Sequence, residues 1–257
     1  MSNARHEQAA TERYSTWDAI VCPVCKTDEF ESLFELAGEP FVRCAGCGLT
    51  LINPRRPFEQ IRAGYDAAYS GGYIKKADKK LKRARRRVAR LTREYRLTGS
   101  WLDVGCSAGF VVLAAQNQGF EAWGVDVEEA GIEYARTALG LKNLACGLLH
   151  EQDYGDAQFD AISVYDVIEH VPDLNGFVAE LKRILKPDGV VEIGTPDIGH
   201  WRVPKVLSSW NEVKPSEHLY YFDRITLTRL LANHGLEVIR SRLALKPGLK
   251  IVARHSG

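Results

Sequence analysis

Ser100-Trp-Leu-Asp-Val-Gly-Cys-Ser-Ala-Gly-Phe110 is the stretch on which the fold of this chain turns. Its first half is a short apolar run that reads as a buried strand, and its second half is a turn of small residues opening a helix. Gly105 and Gly109 let the backbone come close to a ligand, and a helix start supplies N–H groups that have no partner inside the helix. Such a loop is common to many nucleotide-binding folds, so the next run matters. Glu121-Ala-Trp-Gly-Val-Asp126 ends on an acid about twenty residues further on, where a carboxylate can accept hydrogen bonds from ribose hydroxyls.

The pattern continues outward on both sides. Strands are expected at 100–104, 121–126, 143–146, 159–164 and 189–194, with helices at 108–118, 128–138 and 174–185 between them. An irregular stretch follows to about residue 221. Then come a helix at 224–234, opened by Asp223, and two last strands near 236–243 and 248–254. Such alternation predicts an α/β fold, a doubly wound, mainly parallel sheet of seven strands with helices on both faces. Before it, Ala77, Leu81, Ala84, Val88, Leu91 and Tyr95 recur at steps of four and three, the apolar stripe of a helix. Thr98-Gly99 ends it. Residues 57–73 read as a linker with a short helix around Phe58 to Tyr69.

Composition narrows the classes. With 257 residues and 45% hydrophobic residues, the chain suits one sizeable core and a small appendage. No run approaches the roughly 18 apolar residues of a membrane span, and the N-terminus is polar where a signal peptide would be apolar, so the expectation is a cytoplasmic protein. The net charge of +1 hides an asymmetry. Between Lys75 and Arg96 twelve lysines and arginines face only Asp78 and Glu94, about +10, which leaves about −9 for the rest. The stripe on that helix favours a packed helix with a solvated cationic outer face over a nucleic-acid surface.

Of six cysteines, four form two Cys-x-x-Cys pairs, Cys22-Pro-Val-Cys25 and Cys44-Ala-Gly-Cys47. Two knuckles at this spacing supply four thiolates in tetrahedral array with no open position, which predicts a structural zinc. A module of this size buries too little core to fold without such a staple. The expected divisions are therefore a tail at 1–19, a zinc ribbon at 20–53, a linker and basic helix at 54–97 and the α/β domain at 98–257.

Leu102-Asp-Val-Gly-Cys-Ser-Ala-Gly109, Gly124-Val-Asp126, Phe159-Asp160 and Leu185-Lys-Pro-Asp-Gly189, in that order, resemble the class I S-adenosylmethionine-dependent methyltransferases. The resemblance covers residues 100–254. It implies that Asp103, Gly105, Cys106, Gly109 and Phe110 meet the methionine end of S-adenosylmethionine, that Asp126 with Val127 holds the ribose, that Leu148 flanks the adenine, and that Tyr165 and Asp166 complete the site. Ser107 stands where the family often has a third glycine. A dehydrogenase would want the last glycine of G-x-G-x-x-G, which is absent.

Tyr165-Asp-Val-Ile-Glu-His170 resembles the Glu-x-x-Glu-His motif of ubiquinone-biosynthesis O-methyltransferases, in which two acids and a histidine hold a divalent metal. That implies a metal at Asp166, Glu169 and His170. The favoured alternative has Asp166 on the cofactor, Glu169 orienting the turn and His170 packed beside the methionine end. Pro215-Ser-Glu-His218-Leu-Tyr-Tyr221-Phe resembles the Glu-His-Leu-x-x-Phe signature of zinc-ribbon methyltransferases, including sugar C-methyltransferases. His218 is the first candidate base, with His170 and Tyr221 as further catalytic candidates, on the expectation that a histidine titrating near neutrality removes the proton from an oxygen or carbon nucleophile. The alternative for His218 is a structural role in its turn.

The resemblance thus implies methylation of a small metabolite, a sugar, or a natural-product or lipid-linked precursor, and the basic face would attract an anionic one. The rival reading is an RNA methyltransferase, or a zinc-ribbon RNA-binding protein with a vestigial methyltransferase fold. Salt dependence separates them.

Overall fold

The computed structural model describes residues 16–57, 60, 77–242 and 244–257, so the expected helix near Phe58 to Tyr69 and nearly all of the expected tail lie outside the described residues. The chain opens with strands β1 (Phe30–Leu36), β2 (Glu39–Cys44) and β3 (Thr50–Ile52), followed by helix α1 (Ala77–Tyr95). The α/β portion runs β4 (Ser100–Val104), α2 (Phe110–Gln116), β5 (Glu121–Asp126), α3 (Glu129–Thr137), β6 (Leu144–Cys146), β7 (Phe159–Tyr165), α4 (Leu174–Ile184) and β8 (Leu185–Thr195). It ends with β9 (Tyr220–Tyr221), α5 (Arg224–Asn233), β10 (Leu236–Arg242) and β11 (Leu249–His255).

The large sheet has the order β10-β11-β8-β7-β4-β5-β6. β4 to β8 are mutually parallel, while β10 and β11 are antiparallel. The seven-stranded, mainly parallel sheet agrees with the sequence. From β4 the chain winds outward through β5 and β6, then returns to β7 on the other side, so the order reverses between β4 and β7. Ligands bind at the carboxyl ends of strands flanking such a switch.

Local chemistry sets the ends of the elements. Asp223 accepts the N–H of Thr226 at 2.7 Å, capping α5 as the sequence predicts. Asp173 caps α4 in the same way through the N–H of Gly176. α2 is shorter than expected because Gly109, at φ 72°, starts it only at Phe110. A Cβ on Gly109 would lie 2.8 Å from that of Ala135, so this glycine also lets α2 pack closely on α3. On α1 the stripe is real: Ala84, Val88 and Leu91 are buried against the α/β core. Burying the valine and leucine contributes roughly 1.5–3 kcal/mol each.

The cysteine-rich strands do not stand apart. The second sheet has the order β1-β2-β3-β9, its fourth strand coming from Tyr220 and Tyr221 far along the chain. Leu49 and Leu51 share one core with Leu219, Phe222 and Leu227. Glu39 of β2 is buried, accepts the N–H and hydroxyl of Ser216, and faces Arg56 at 3.2 Å. Buried Arg55 donates to the Tyr220 hydroxyl at 2.6 Å and to the Pro172 carbonyl at 2.7 Å. No helix among the described residues is long and apolar enough to cross a membrane.

Candidate functional site

The turn after β4 is held open by three constraints. Gly105 has φ 74°, and a Cβ there would meet Val167 Cγ2 at 2.1 Å, so only glycine lets this loop touch the turn after β7. Ser107 takes φ 43°, a left-handed conformation that is costly for a residue with a side chain. Asp126, at the end of β5, compensates: its carboxylate accepts the N–H of Ser107 at 2.7 Å and that of Glu128 at 2.8 Å.

Asp103, Gly105, Cys106, Phe110, Tyr165 and Asp166 line one pocket at the switch point, of about 110 Å³. The buried Ser107 hydroxyl also faces it and has no hydrogen-bond partner among the described residues. An orphaned buried donor beside a cleft fits a polar ligand there. Asp103 is oriented by a buried relay: Trp101 Nε1 donates to Ser163 Oγ at 3.0 Å, and that hydroxyl donates to Asp103 at 2.5 Å. Burial pushes the Asp103 carboxyl up to about 7, against the pull of Ser163 and Arg87.

Of the other expected cofactor residues, Gly109 serves helix packing, and the Cys106 thiol is turned toward Gly124 beneath the loop. Asp126, exposed Val127 and Leu148 lie together at the carboxyl ends of β5 and β6, clear of the pocket lining. The sequence reading missed Lys80, Arg83 and Arg87 of α1, which line the same pocket. Arg87 sits over the Tyr165 ring at 4.0 Å. The basic face read as merely solvated therefore borders the site. The available signal was the position of these residues along one flank of the apolar stripe.

One turn further on, Glu169, His170 and His218 place a ligand atom each within 4.8 Å of one another. This is the acid–histidine group that could hold a metal among the described residues, and Asp166 is not part of it, which corrects the expected trio of Asp166, Glu169 and His170. The two imidazoles meet edge to face at 4.6 Å, and Tyr221 lies 6.2 Å from His218. His170 Nδ1 donates to the Glu217 carbonyl at 2.7 Å. Glu169 accepts the Thr195 hydroxyl at 2.9 Å, while its Oε1 and His218 Nδ1 have no hydrogen-bond partner among the described residues.

Burial lowers His218 to about 3, helped by His170 and Lys214, and lowers His170 to about 4. Neither titrates near neutrality, which corrects that expectation: desolvation disfavours the imidazolium. Burial, with the Asp166 charge, raises Glu169 to about 8. Read from the residues alone, Glu169 has only an orienting or metal-holding part.

The four cysteines converge. Cys22 and Cys47 are 3.5 Å apart, Cys25 and Cys44 3.3 Å, and Cys44 and Cys47 3.5 Å between sulfurs. Four thiolates on one tetrahedral ion with bonds of roughly 2.3 Å have comparable separations. The knuckles repeat one geometry. Lys26 and Gly48, both at positive φ, donate to the Cys22 and Cys44 carbonyls at 2.9 Å, and the cysteine N–H groups donate to Thr27 and Leu49 at 2.8 Å. The cluster fits a small zinc ribbon.

A family model described as a methyltransferase domain matches residues 73–241. A ubiquinone biosynthesis O-methyltransferase of Rickettsia akari is 32% identical over 97 residues, covering 37% of this chain and 39% of that protein. A probable S-adenosylmethionine-dependent methyltransferase of Mycolicibacterium smegmatis is 29% identical over 159 residues, covering 61% and 60%. The chain thus spans less than two thirds of the length of these relatives. Among solved structures, a 1,6-didemethyltoxoflavin-N1-methyltransferase of Burkholderia thailandensis, with 1,6-didemethyltoxoflavin and S-adenosylhomocysteine bound, superposes at TM-score 0.63 and 18% identity, over 88% of this chain and 100% of that one. At that identity the likeness concerns the fold.

Proposed function

The chain belongs to the methyltransferase domain family, and from that premise we propose that it is an enzyme transferring the methyl group of S-adenosylmethionine to an oxygen or carbon atom of a small metabolite, a sugar, or a natural-product or lipid-linked precursor. The observation that carries this reading is the pocket at the β4/β7 switch point, with the orphaned Ser107 hydroxyl and the Asp103 carboxyl facing it.

The cofactor supplies an activated methyl on a sulfonium. The chain supplies position and proton handling. Asp126 keeps a lone pair on each oxygen for ribose hydroxyls while it holds the loop; Asp103 and the Ser107 hydroxyl meet the methionine end; Val127 and Leu148 border the nucleoside. Most of the rate then comes from alignment of nucleophile and methyl. The buried cluster one turn away accepts the nucleophile's proton. His218 is unprotonated at neutral pH and offers a free lone pair, His170 and Tyr221 flank it, and Glu169 relays the proton onward. An anionic substrate beside His218 raises its basicity again. The four thiolates of Cys22, Cys25, Cys44 and Cys47 would hold a structural zinc beside β1–β3, whose third strand pairs with the strand that carries Tyr221.

Calorimetric titration of the purified protein with S-adenosylmethionine and S-adenosylhomocysteine, against an Asp126→Ala control, tests the reading. Micromolar binding that disappears in the control supports it. No binding by folded protein overturns it.

A further inference from the structure

Strand period puts Glu39 and Phe41 of β2 on one face of the cysteine-rich sheet, opposite to Val42 and Cys44. Phe41 packs there with Trp210, Val213 and Tyr221, so this face receives the segment that leads from β8 to β9. Glu39 is only 1% exposed, and its two oxygens converge on one residue of that segment. Oε2 accepts the Ser216 N–H at 2.5 Å and Oε1 the Ser216 hydroxyl, with Arg56 Nε 3.2 Å from Oε1. Ser216 stands at φ 62°, a conformation costly for a residue with a side chain. The turn around it is closed by the N–H groups of Glu217 and His218, which donate to the Lys214 carbonyl at 3.2 and 3.0 Å. Its ends are tied elsewhere: the Lys214 N–H donates to the Tyr221 hydroxyl at 3.2 Å, and the Leu219 N–H to the Glu169 carbonyl at 2.8 Å. The apex of the turn is tied to β2 through Glu39.

The two residues after Ser216 fix the two imidazoles of the buried cluster. Glu217 offers its carbonyl to His170 Nδ1 at 2.7 Å, which places the His170 proton on Nδ1. His218 carries the second ring. The Glu212 backbone engages that ring, while its Nδ1 has no hydrogen-bond partner among the described residues, so its proton belongs on Nε2. A slide of Ser216 would therefore displace the acceptor of one ring and the backbone of the other together. Stability alone does not call for a carboxylate at position 39, because a buried ionic group is often no better than a well-packed apolar side chain of similar volume. Two short bonds from a carboxylate to one residue do fix direction.

We propose that Glu39 is a positioning residue for methyl transfer: from the cysteine-rich sheet it holds Ser216 in place, and through Ser216 it sets the orientation of His218 and His170. The proposal rests on the methyl-transfer reading above and adds to it a part for the N-terminal module in aligning the proton acceptor.

The test uses full-length protein with isotope-labelled histidine, saturated with S-adenosylhomocysteine, and reads the tautomer of each imidazole from proton–nitrogen spectra at neutral pH. The chain has 7 histidines, and His170→Gln and His218→Gln assign the two rings of interest. Wild type should show one fixed tautomer at each, Nδ1–H at His170 and Nε2–H at His218. In Glu39→Gln both rings should lose that single-tautomer pattern, while Glu39→Asp, which keeps a carboxylate, retains it in part. S-adenosylhomocysteine affinity should stay unchanged, as should the ring of His255, which is held at the Leu185 carbonyl away from this loop. Where Glu39→Gln does not fold, Ser216→Ala removes one of the two bonds from the loop side and should disturb the His218 pattern in the same sense. Wild-type patterns at both rings in these variants overturn the proposal and leave methyl transfer standing. A change that appears equally at His255 and weakens S-adenosylhomocysteine binding also overturns it, since Glu39 then supports the fold as a whole. Failure of folded wild type to bind S-adenosylhomocysteine overturns the methyl-transfer reading and this proposal with it.

Discussion

The carboxylate of Asp126 accepts the backbone N–H of Ser107 at 2.7 Å, so the acid that ends β5 also holds the loop that follows β4. One side chain therefore shapes the glycine loop and is also the group proposed to hold the ribose. Ser107 at φ 43° depends on that bond more than a glycine would.

Asp126→Ala should remove both functions. Loss of two backbone hydrogen bonds to a half-buried carboxylate costs roughly 1.5–3 kcal/mol each. The expected outcome in calorimetry is S-adenosylhomocysteine affinity reduced at least ~10-fold. Asp126→Asn, which keeps one acceptor for Ser107, should fall between variant and wild type.

Gly131 of α3 abuts the same loop. A Cβ there would come within 2.9 Å of the Ser107 carbonyl carbon, which is backbone and cannot rotate away. Gly131→Ala should lower stability by roughly 1–3 kcal/mol in urea unfolding, and weaken S-adenosylhomocysteine binding by displacing the loop. A variant as stable and as tight as wild type would show that the helix can shift freely.

Asp103 gives a pH signature. Its folded carboxyl is raised from 3.8 to about 7 by burial, so its contribution to stability is present below 3.8 and lost as pH rises through about 7. An ammonium at the methionine end prefers the ionised form. S-adenosylhomocysteine affinity should therefore rise ~10-fold between about pH 6 and 8, with proton release on binding. Asp103→Asn should flatten the profile.

Glu192 is wholly buried among Arg90, Arg242 and Tyr165. Removing one partner of a buried ionic group leaves the others uncompensated, so Glu192→Ala should cost roughly 3–5 kcal/mol in urea unfolding. α1 should also become accessible to trypsin in the native protein. Unchanged protection would mean that the apolar stripe alone seats the helix.

The cysteine cluster should bind one zinc per chain. Cys44→Ser, or a strong chelator, should release it and lower the melting temperature of the whole molecule rather than of a detached module, because β9 belongs to the cysteine-rich sheet and follows the loop carrying His218. A separate, lower-temperature transition would contradict that coupling.

What could be read from residues alone was local. Alternating apolar runs located the strands and helices of the α/β portion because side-chain period depends only on near neighbours. Asp223 announced its helix, and two Cys-x-x-Cys pairs announced a four-sulfur cluster, because capping and knuckle geometry close over a few residues. Tertiary structure alone decided the rest. Pairing of Leu51 with Tyr220 joins two stretches with no local signal of each other. The same closure brings His218 against His170 and Glu169, and only the desolvation of that shared interior drives the imidazoles down and the carboxyl up. The basic run was plain in the sequence, but which pocket it borders followed from the register Tyr165–Gly194–Lys250 and from the buried Glu192 that holds α1 over it. Charge is a property of the chain, whereas the field in a cleft depends on which backbones pack around it.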